Sequence, residues 1–157
     1  MSTAEGVYGL ILVAGLIATS GSAGSPAWVT FVFTGVTVTV FWVAHVYAGA
    51  VAEHGAPSES GVPKTVREAT GEAARKSRGL LVSMLPPAAA LLMGMIGILS
   101  DAAATWLSLW VSVMALAVLG YIAYSRKGAK WWMRIVGALS TASFGVVIII
   151  AKAVVTH

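Results

Sequence analysis

Two ionisable side chains, Glu5 and His45, stand inside long apolar runs of the chain. A carboxylate beside an imidazole favours the charged form of each group, and such a pair can relay a proton or coordinate a cation. If the first two apolar runs form an antiparallel hairpin about Ala23, Glu5 falls opposite roughly residue 42, about one helical turn from His45. We therefore predict an ion or proton pathway at this pair, with Tyr8 and Tyr47 beside it. The alternative is structural: the dipole of the first helix favours Glu5 at the membrane interface, and His45 only bonds a neighbouring helix.

A pair of prolines, Pro86 and Pro87, enters a third apolar run at about the same depth. Each proline removes a backbone donor and disrupts a helix, which leaves carbonyl groups of the preceding turn without partners. Within lipid, such groups are tolerated only when protein covers them or when they face a wet cavity. The pair therefore predicts a broken helix that contributes to the pathway, with a packing kink as the alternative.

The loop between the second and third runs, residues 53–78, is the longest polar stretch of the chain. Its first part, EHGAPSESGVP, is typical of a flexible connection. Its second part, KTVREATGEAARKSR, predicts a polar helix in which Glu68, Glu72 and Lys76 are spaced four residues apart. The basic residues of this loop suit contacts with anionic lipid headgroups. The alternative is a collar that attracts cations, formed by Glu53, His54, Glu59, Glu68 and Glu72.

Candidate metal ligands are the carboxylates and imidazoles closest to these runs, namely Glu5, His45, Glu53 and His54. No fixed ligand spacing links them. The chain has no Cys, which excludes disulfides and thiolate metal sites. We expect no resident cofactor, and a divalent metal ion or a proton would be the transported species.

The composition is that of a membrane protein, because 58% of the 157 residues are apolar, only 10% are charged, and the mean hydropathy is +0.87. A soluble domain is about 45–50% apolar and about 25% charged. The net charge of +4 is scattered along the chain, so a nucleic-acid partner is not expected. An enzyme is not expected either, because the chain has no HExxH motif, no membrane-embedded Ser/His/Asp set and too little polar sequence for a nucleotide site.

Five apolar segments are long enough to cross a bilayer as helices, since a span needs about 20 residues. We predict a single all-α membrane domain over residues 1–157, with spans at about 5–20, 27–52, 79–99, 102–124 and 131–155. The first segment is expected to be a retained span, because a signal peptide begins with basic residues and none precedes Lys64.

Nine of the ten basic residues follow the second or the fourth predicted span: Lys64, Arg67, Arg75, Lys76, Arg78, Arg126, Lys127, Lys130 and Arg134. The positive-inside rule makes these regions cytoplasmic, so the N-terminus is predicted inside and the C-terminus outside. The tenth, Lys152, is expected to snorkel to the outer interface from the end of the fifth span. These features predict a multi-pass protein of the cell membrane.

The order of the elements resembles the vacuolar iron transporter family, with two spans, a polar cytoplasmic helix and three further spans. The pair Glu5-Gly6 resembles the acidic-Gly pair of that family's first span. The stretches SMLPPAAALLMGMIG and VMALAVLGYIAYSRKGAKWWMRIVGALS are similar to its last three spans. This resemblance implies a dimer that exchanges a divalent metal ion for protons.

Two short motifs point to a second resemblance. EGVY in the first span and FWVAH in the second, which contain Glu5 and His45, are similar to motifs of the lysosomal and bacterial potassium channels. That resemblance implies a monovalent cation channel. The chain as a whole also looks like a small actinobacterial integral membrane protein of five helices.

The sequence therefore predicts a small cation transporter or channel in which Glu5 and His45 form the permeation or proton-coupling pair. A homodimer or a higher homo-oligomer is expected, because five helices barely enclose a polar path and the first two spans can pair across a two-fold axis. The alternative is a non-transporting scaffold or accessory subunit, in which these two residues only hold helices together.

Overall fold

Six α-helices account for nearly all of the residues that the structure, a computed structural model, describes, namely 3–21, 25–55 and 63–156. The helices are α1 (Thr3–Ser20), α2 (Ala27–Glu53), α3 (Val66–Lys76), α4 (Arg78–Met95), α5 (Asp101–Arg126) and α6 (Trp131–Thr156). The predicted all-α fold is confirmed, and each of the five apolar segments forms a helix. The hairpin turn predicted at Ala23 lies outside the described residues.

Four helical stretches are long and apolar enough to cross a membrane: Ala27–Glu53, Val66–Met95, Asp101–Arg126 and Trp131–Val155. A fifth apolar helix, Ala4–Ser20, is shorter. Only 17% of the residues in the most apolar part of α2 are buried, and the same fraction is buried in the most apolar part of α6. So large an outward-facing apolar surface fits a bilayer and would be unfavourable in water, so the chain is a helical membrane protein.

The core of the bundle surrounds α1, which packs on α2, α4, α5 and α6. Val13 and Ile17 of α1 are fully buried. Val38 of α2, Leu91 of α4 and Leu109 of α5 lie in the same apolar cluster. α1 is therefore the apolar helix that the other apolar helices cover.

A hydrogen bond between two helix starts defines one end of the bundle. The Asp101 carboxylate accepts a 2.8 Å hydrogen bond from the backbone N–H of Ala27. The first N–H groups of a helix lack partners within it, and Pro26 before α2 supplies no side-chain cap, so Asp101 takes that role. We call the opposite end the basic end. It carries the starts of α1, α4 and α6, the ends of α2 and α5, and α3.

The polar helix predicted in the long loop is α3, which begins at Val66 and ends at Lys76. Thr65 and Glu68 form a reciprocal capping box at its start, so Glu68 is engaged there rather than in a row with its neighbours. Of the predicted ion pairs at four-residue spacing, Glu72 and Lys76 form one at 3.0 Å. α3 carries five of the charged residues of the stretch Val66–Met95, so its apolar membrane-crossing part is α4.

The predicted break at the two prolines is wrong, because α4 is helical through both Pro86 and Pro87. A proline holds φ near about −65°, which is itself a helical value. The chain loses only the two N–H groups that would have bonded the carbonyls of Val82 and Ser83, four residues earlier. α4 therefore stays continuous although these two N–H donors are missing.

A hydrogen bond to α5 and a glycine turn fix the course of α4. Ser108 of α5 donates a 2.7 Å hydrogen bond to the carbonyl of Pro87, which ties the proline-containing turn to the neighbouring helix. The helix ends at Met95, four residues before the predicted end at 99. Gly97 adopts a φ of +77°, a value that glycine reaches without strain, and turns the chain toward α5.

Candidate functional site

Glu5 lies in the first turn of α1, where α1 and α4 are in close contact. A Cβ atom at Gly79 would stand 3.0 Å from the Glu5 Cβ and 3.2 Å from the Gly6 nitrogen. One turn deeper, a Cβ atom at Gly9 would collide with the hydroxyl of Ser83. Two glycines, one on each helix, thus allow the backbones to approach and fix the position of the carboxylate.

One oxygen of this carboxylate, Glu5 Oε2, is fully enclosed and has no hydrogen-bond partner among the described residues. The indole nitrogen of Trp42, an N–H donor, is enclosed and unpartnered in the same part of the structure. A buried polar atom without a partner is costly, and ordered water or a bound ion commonly satisfies it. An acceptor and a donor are therefore both available for a small polar ligand.

Contacts between α2 and the α3–α4 stretch show how deep these two atoms lie. Gly94 packs against Ala27, and Gly49 packs against Ala73. The two stretches therefore run antiparallel, and nearly the same number of residues separates the two contacts on each stretch. Gly79, and with it Glu5, is then level with about residue 43 of α2. Trp42 lies within about 1.5 Å of that level along the helix axis.

The depth that the sequence predicts for His45 agrees with this register, because two residues of helix correspond to about 3 Å. The side chain of His45 is nevertheless exposed. α1 begins at Thr3, which is level with about residue 45, so the described part of α1 has no further turn to cover the imidazole. No ion pair joins Glu5 and His45 in the described residues. Their joint action stays a prediction.

The two tyrosines that the sequence places beside the pathway point away from the core. Tyr8 is 50% exposed, and Tyr47 is 72% exposed. Tyr8 borders a furrow on the surface between α1, α5 and α6 that Tyr124 and Thr141 also line. Tyr47 borders a second furrow between α2 and α3, together with His54. Within the described residues, no hydrogen bond therefore joins either tyrosine to Glu5.

A cavity of about 220 Å³ extends from the level of Glu5 toward the prolines, between α1, α4 and α5. Gly6 and Leu10 line it on α1, and Ser83 and Pro86 line it on α4. Pro87 is buried on the far side of the turn, where its carbonyl accepts from Ser108. Pro86 therefore borders open space, while Pro87 holds α4 to α5.

A stripe of residues on the bundle-facing side of α2 carries further unpartnered polar atoms. Thr30 and Thr34 are both fully buried, and neither hydroxyl finds a partner among the described residues. By contrast, Thr37 and Thr39 on the outside of the same helix each donate to the carbonyl four residues earlier, at 2.8 Å. The spacing of four continues from Thr34 through Val38 to Trp42, so one face of α2 carries all three unpartnered groups.

The predicted ligand Glu53 belongs to an ion-pair cluster that joins α2 to α3. Lys64 lies 2.8 Å from Glu53 and 2.7 Å from Glu72, and Lys76 contacts the same two carboxylates. Hydrogen bonds to Glu53 and then to Glu72 hold the pKa of Lys64 well above its usual range. The hydrogen bonds from Lys64 and then from Lys76 lower the pKa of Glu72 to about 2. We call these four residues the clamp.

Within the described residues, no three His, Asp or Glu side chains come close enough together to hold a metal ion. Both oxygens of Glu53 accept from lysines, so a cation bound there would have to displace one of them. His54 follows the end of α2 with an exposed side chain, and Glu59 lies outside the described residues. The metal-ligand set predicted from the sequence therefore stays a prediction.

The side chain of Lys152 is packed into the protein, and only 6% of the residue is exposed. Its predicted reach to the outer interface stays a prediction. Its ammonium lies 5.6 Å from the ring centre of Trp106, within the range of a cation–π interaction. A Cβ atom at Gly21 would stand 3.0 Å from the Lys152 nitrogen, so the ammonium lies close to the C-terminal end of α1. The negative end of that helix dipole favours a cation there.

Sequence reasoning did not single out Trp42, Thr30 or Thr34 as site residues. The hairpin count had already put residue 42 opposite Glu5, so the signal for Trp42 was present in the helical spacing. Nothing in the sequence distinguished the two buried threonines from the two that bond their own helix. That difference depends on which side of α2 the bundle covers.

Fold and site together define a helical membrane protein with an enclosed carboxylate at one end of its bundle. No protein-family model, no curated protein and no solved structure matches the chain.

Proposed function

We propose that this protein is a small cation transporter or channel of the cell membrane, in which Glu5 is the group that binds the proton or cation. The observation that carries the proposal is the Glu5 Oε2 atom, which is enclosed and without a partner in the described part of the chain. A membrane-buried carboxylate with an unused oxygen is unfavourable unless a proton or a cation binds it. A scaffold that needed only packing would keep an apolar residue there.

The stripe on α2 supports a path away from Glu5. Trp42 lies at the level of Glu5, and the hydroxyls of Thr34 and Thr30 follow two and three turns farther toward the other end. Water or an ion that satisfied these groups would be led along α2. Val38 is 1% exposed and separates Thr34 from Trp42, so an apolar side chain interrupts the polar groups. A hydrophobic constriction of this kind gates a pathway by excluding water.

A proton or a monovalent cation fits the site better than a divalent metal ion does. The described site offers one carboxylate, and its unpartnered neighbour at the same level is an N–H donor, which accepts no cation. A divalent ion takes several oxygen or nitrogen ligands. The metal-for-proton exchange implied by the resemblance to vacuolar iron transporters would need additional ligands from a second copy of the chain.

A homo-oligomer is part of this proposal. The imidazole of His45 is exposed on α2, and the small residues Ala44, Ala48 and Ala52 beside it are exposed as well. Small residues let membrane helices approach closely, and polar side chains bond across such contacts. A second copy whose α2 packed on this face would cover His45 and bring it a partner.

The proposed topology has five membrane spans, with the basic end in the cytoplasm. α1 serves as the fifth span because α2, α4, α5 and α6 surround it and need not expose it to lipid. Nine of the ten basic residues lie at or beside the basic end, which the positive-inside rule favours as cytoplasmic. The N-terminus would then be inside, and the C-terminus outside.

A flux survey with the wild-type protein in liposomes tests the proposed class. Gradients of H⁺, K⁺, Mn²⁺ and Fe²⁺ are imposed in turn, and we expect flux above that of protein-free liposomes for H⁺ or K⁺. Flux of Mn²⁺ or Fe²⁺ alone would contradict the preferred substrate and favour metal exchange. No flux with any of the four ions would contradict the proposed function and favour a scaffold or accessory subunit.

A further inference from the structure

The charged residues of α3 fall on two opposite sides of the helix. Lys76 and Glu72 turn toward α2, where the clamp joins them to Glu53 and Lys64. Ala73 is buried on this side against Gly49. The two lysines and two glutamates of the clamp compensate one another, so this side presents no net charge.

The arginines of the same stretch lie on the other side. α3 and α4 follow each other through Ser77, whose φ of −80° and ψ of 0° keep the chain close to a helical course. At about 100° per residue, Arg78 lies about 20° from Arg67 around the axis, and Arg75 lies about 80° from it. Lys76, by contrast, lies about 180° from Arg67.

These three side chains, Arg67, Arg75 and Arg78, are exposed and have no carboxylate partner in the described part of the chain. Glu68 is the one nearby acidic side chain of α3 outside the clamp, and it is engaged with Thr65 in the capping box. Both basic residues of the clamp are lysines, so the arginines stay available to bind an anion. We call Arg67, Arg75 and Arg78 the arginine surface.

The arginine surface lies where the membrane helices leave the apolar layer. Ala73 is level with Gly49, near the end of α2, so Arg75 and Arg78 are level with the last apolar turns of that helix. Arg67 lies about 12 Å farther out than Arg75, since a helix rises about 1.5 Å per residue. A guanidinium group binds phosphate through two parallel hydrogen bonds, and it is more weakly hydrated than a lysine ammonium.

We propose that the arginine surface binds the headgroups of anionic phospholipids in the leaflet next to the basic end. The occupant is a lipid rather than a soluble anion because Arg78 is the first residue of α4, the helix that enters the bilayer. The clamp contributes by holding α3 so that its uncompensated side faces away from α2. This inference does not depend on ion transport.

The test measures lipid preference in nanodiscs that contain phosphatidylcholine with a minor fraction of phosphatidylglycerol. The wild-type protein is released from the nanodiscs, and the phosphatidylglycerol molecules that stay bound to it are counted by native mass spectrometry. The triple variant Arg67→Gln, Arg75→Gln, Arg78→Gln is expected to lose the preference by at least about fivefold, because glutamine cannot form the paired, charged hydrogen bonds that a guanidinium group makes with a phosphate.

The matched control removes three charges from the other basic segment, through Arg126→Gln, Lys127→Gln and Lys130→Gln. It leaves the arginine surface in place, so its preference is expected to change less than twofold, roughly the effect of screened charges beyond the contact. Equal losses in both triple variants would overturn the proposal, since the preference would then follow net charge alone. A wild-type protein without any preference for phosphatidylglycerol would overturn it as well, whatever the folding of the variants.

Discussion

Glu5 lies directly against Gly79, so close that a Cβ atom at position 79 would stand 3.0 Å from the Glu5 Cβ. The contact joins the start of α1 to the start of α4 and encloses a carboxylate oxygen for which the described residues offer no partner. A membrane protein that carries such a group next to its packed core maintains it against a considerable cost.

Replacing Gly79 by alanine is expected to destabilise the protein by about 1–3 kcal/mol, the usual effect of adding a methyl group to a closely packed contact. The new methyl group would press on the Glu5 Cβ and on the Gly6 nitrogen, and neither is the end of a flexible side chain. The measurement is the thermal unfolding of both proteins in detergent.

Gly15→Ala is the control for this substitution, because a Cβ atom at Gly15 would meet nothing within 4 Å. Alanine favours a helix over glycine by about 1 kcal/mol, so this variant should unfold at the same or a higher temperature. If both variants unfolded together, the close contact at Glu5 would carry no energetic weight.

Val38→Thr is expected to increase ion flux severalfold. The substitution keeps the shape of the side chain but adds a hydroxyl between Thr34 and Trp42, so polar groups would continue along the stripe of α2. Initial rates in liposomes measure the effect.

The control for Val38→Thr is the same exchange at Val13, which is equally buried but lies on α1. Both variants bury one hydroxyl and should lose similar stability. A comparable flux in the two variants would argue against a path along α2.

The clamp is expected to loosen as the pH falls from about 4.5 to about 2. The folded protein holds the pKa of Glu72 near 2, below its ordinary value of 4.5, so the ionised carboxylate stabilises the clamp above pH 4.5. That stabilisation is lost as protons bind on the way down to the folded pKa. The chain has no Cys, so spin labels on Val51→Cys and Thr70→Cys report the distance between α2 and α3 without background.

Lys76→Gln should broaden that distance distribution already at neutral pH, because it removes the ion pairs of one lysine with Glu53 and Glu72. Arg75→Gln, one residue earlier and outside the clamp, should leave it unchanged. An identical response of the two variants would argue against a role of the clamp in holding α3.

Asp101→Asn is expected to lower stability by about 0.3–1 kcal/mol, the usual contribution of a charge at a helix terminus. The asparagine can still accept from the Ala27 N–H, but without the charge that favours a helix start. Thermal unfolding beside Thr37→Ala, an outward threonine that bonds only its own helix, measures the difference. A loss no greater than that of the threonine variant would mean that the link between α2 and α5 is not important.

The apolar segments could be predicted from sequence because each is a long run of mostly apolar residues, and all five are helices with ends within four residues of expectation. The course of α4 could not, since a proline pair breaks some helices and only bends others, depending on what the neighbours supply. Here the hydrogen bond from Ser108 to the Pro87 carbonyl ties this turn to α5, a helix that the local sequence of α4 does not reveal. The burial of Lys152 likewise depends on Trp106 and the end of α1, which are distant in sequence.

For the site, helical spacing predicted the depth of Glu5 and His45 but not their surroundings. Whether His45 is covered depends on where α1 begins, and Trp42 becomes important only because α4 places Gly79 beside Glu5. The clamp could be predicted for Glu72 and Lys76, which are four residues apart, but not for Glu53, which comes from another helix.

Ion uptake by liposomes containing Glu5→Gln tests whether this carboxylate binds the transported ion. Glutamine keeps the size of the side chain but can neither carry the charge nor bind the proton, so uptake of H⁺ or K⁺ is expected to fall to the level of protein-free liposomes. Glu68→Gln, the same exchange at an exposed carboxylate of α3, should transport like the wild type. Equal uptake by the Glu5→Gln and Glu68→Gln variants would contradict a role of Glu5 in transport.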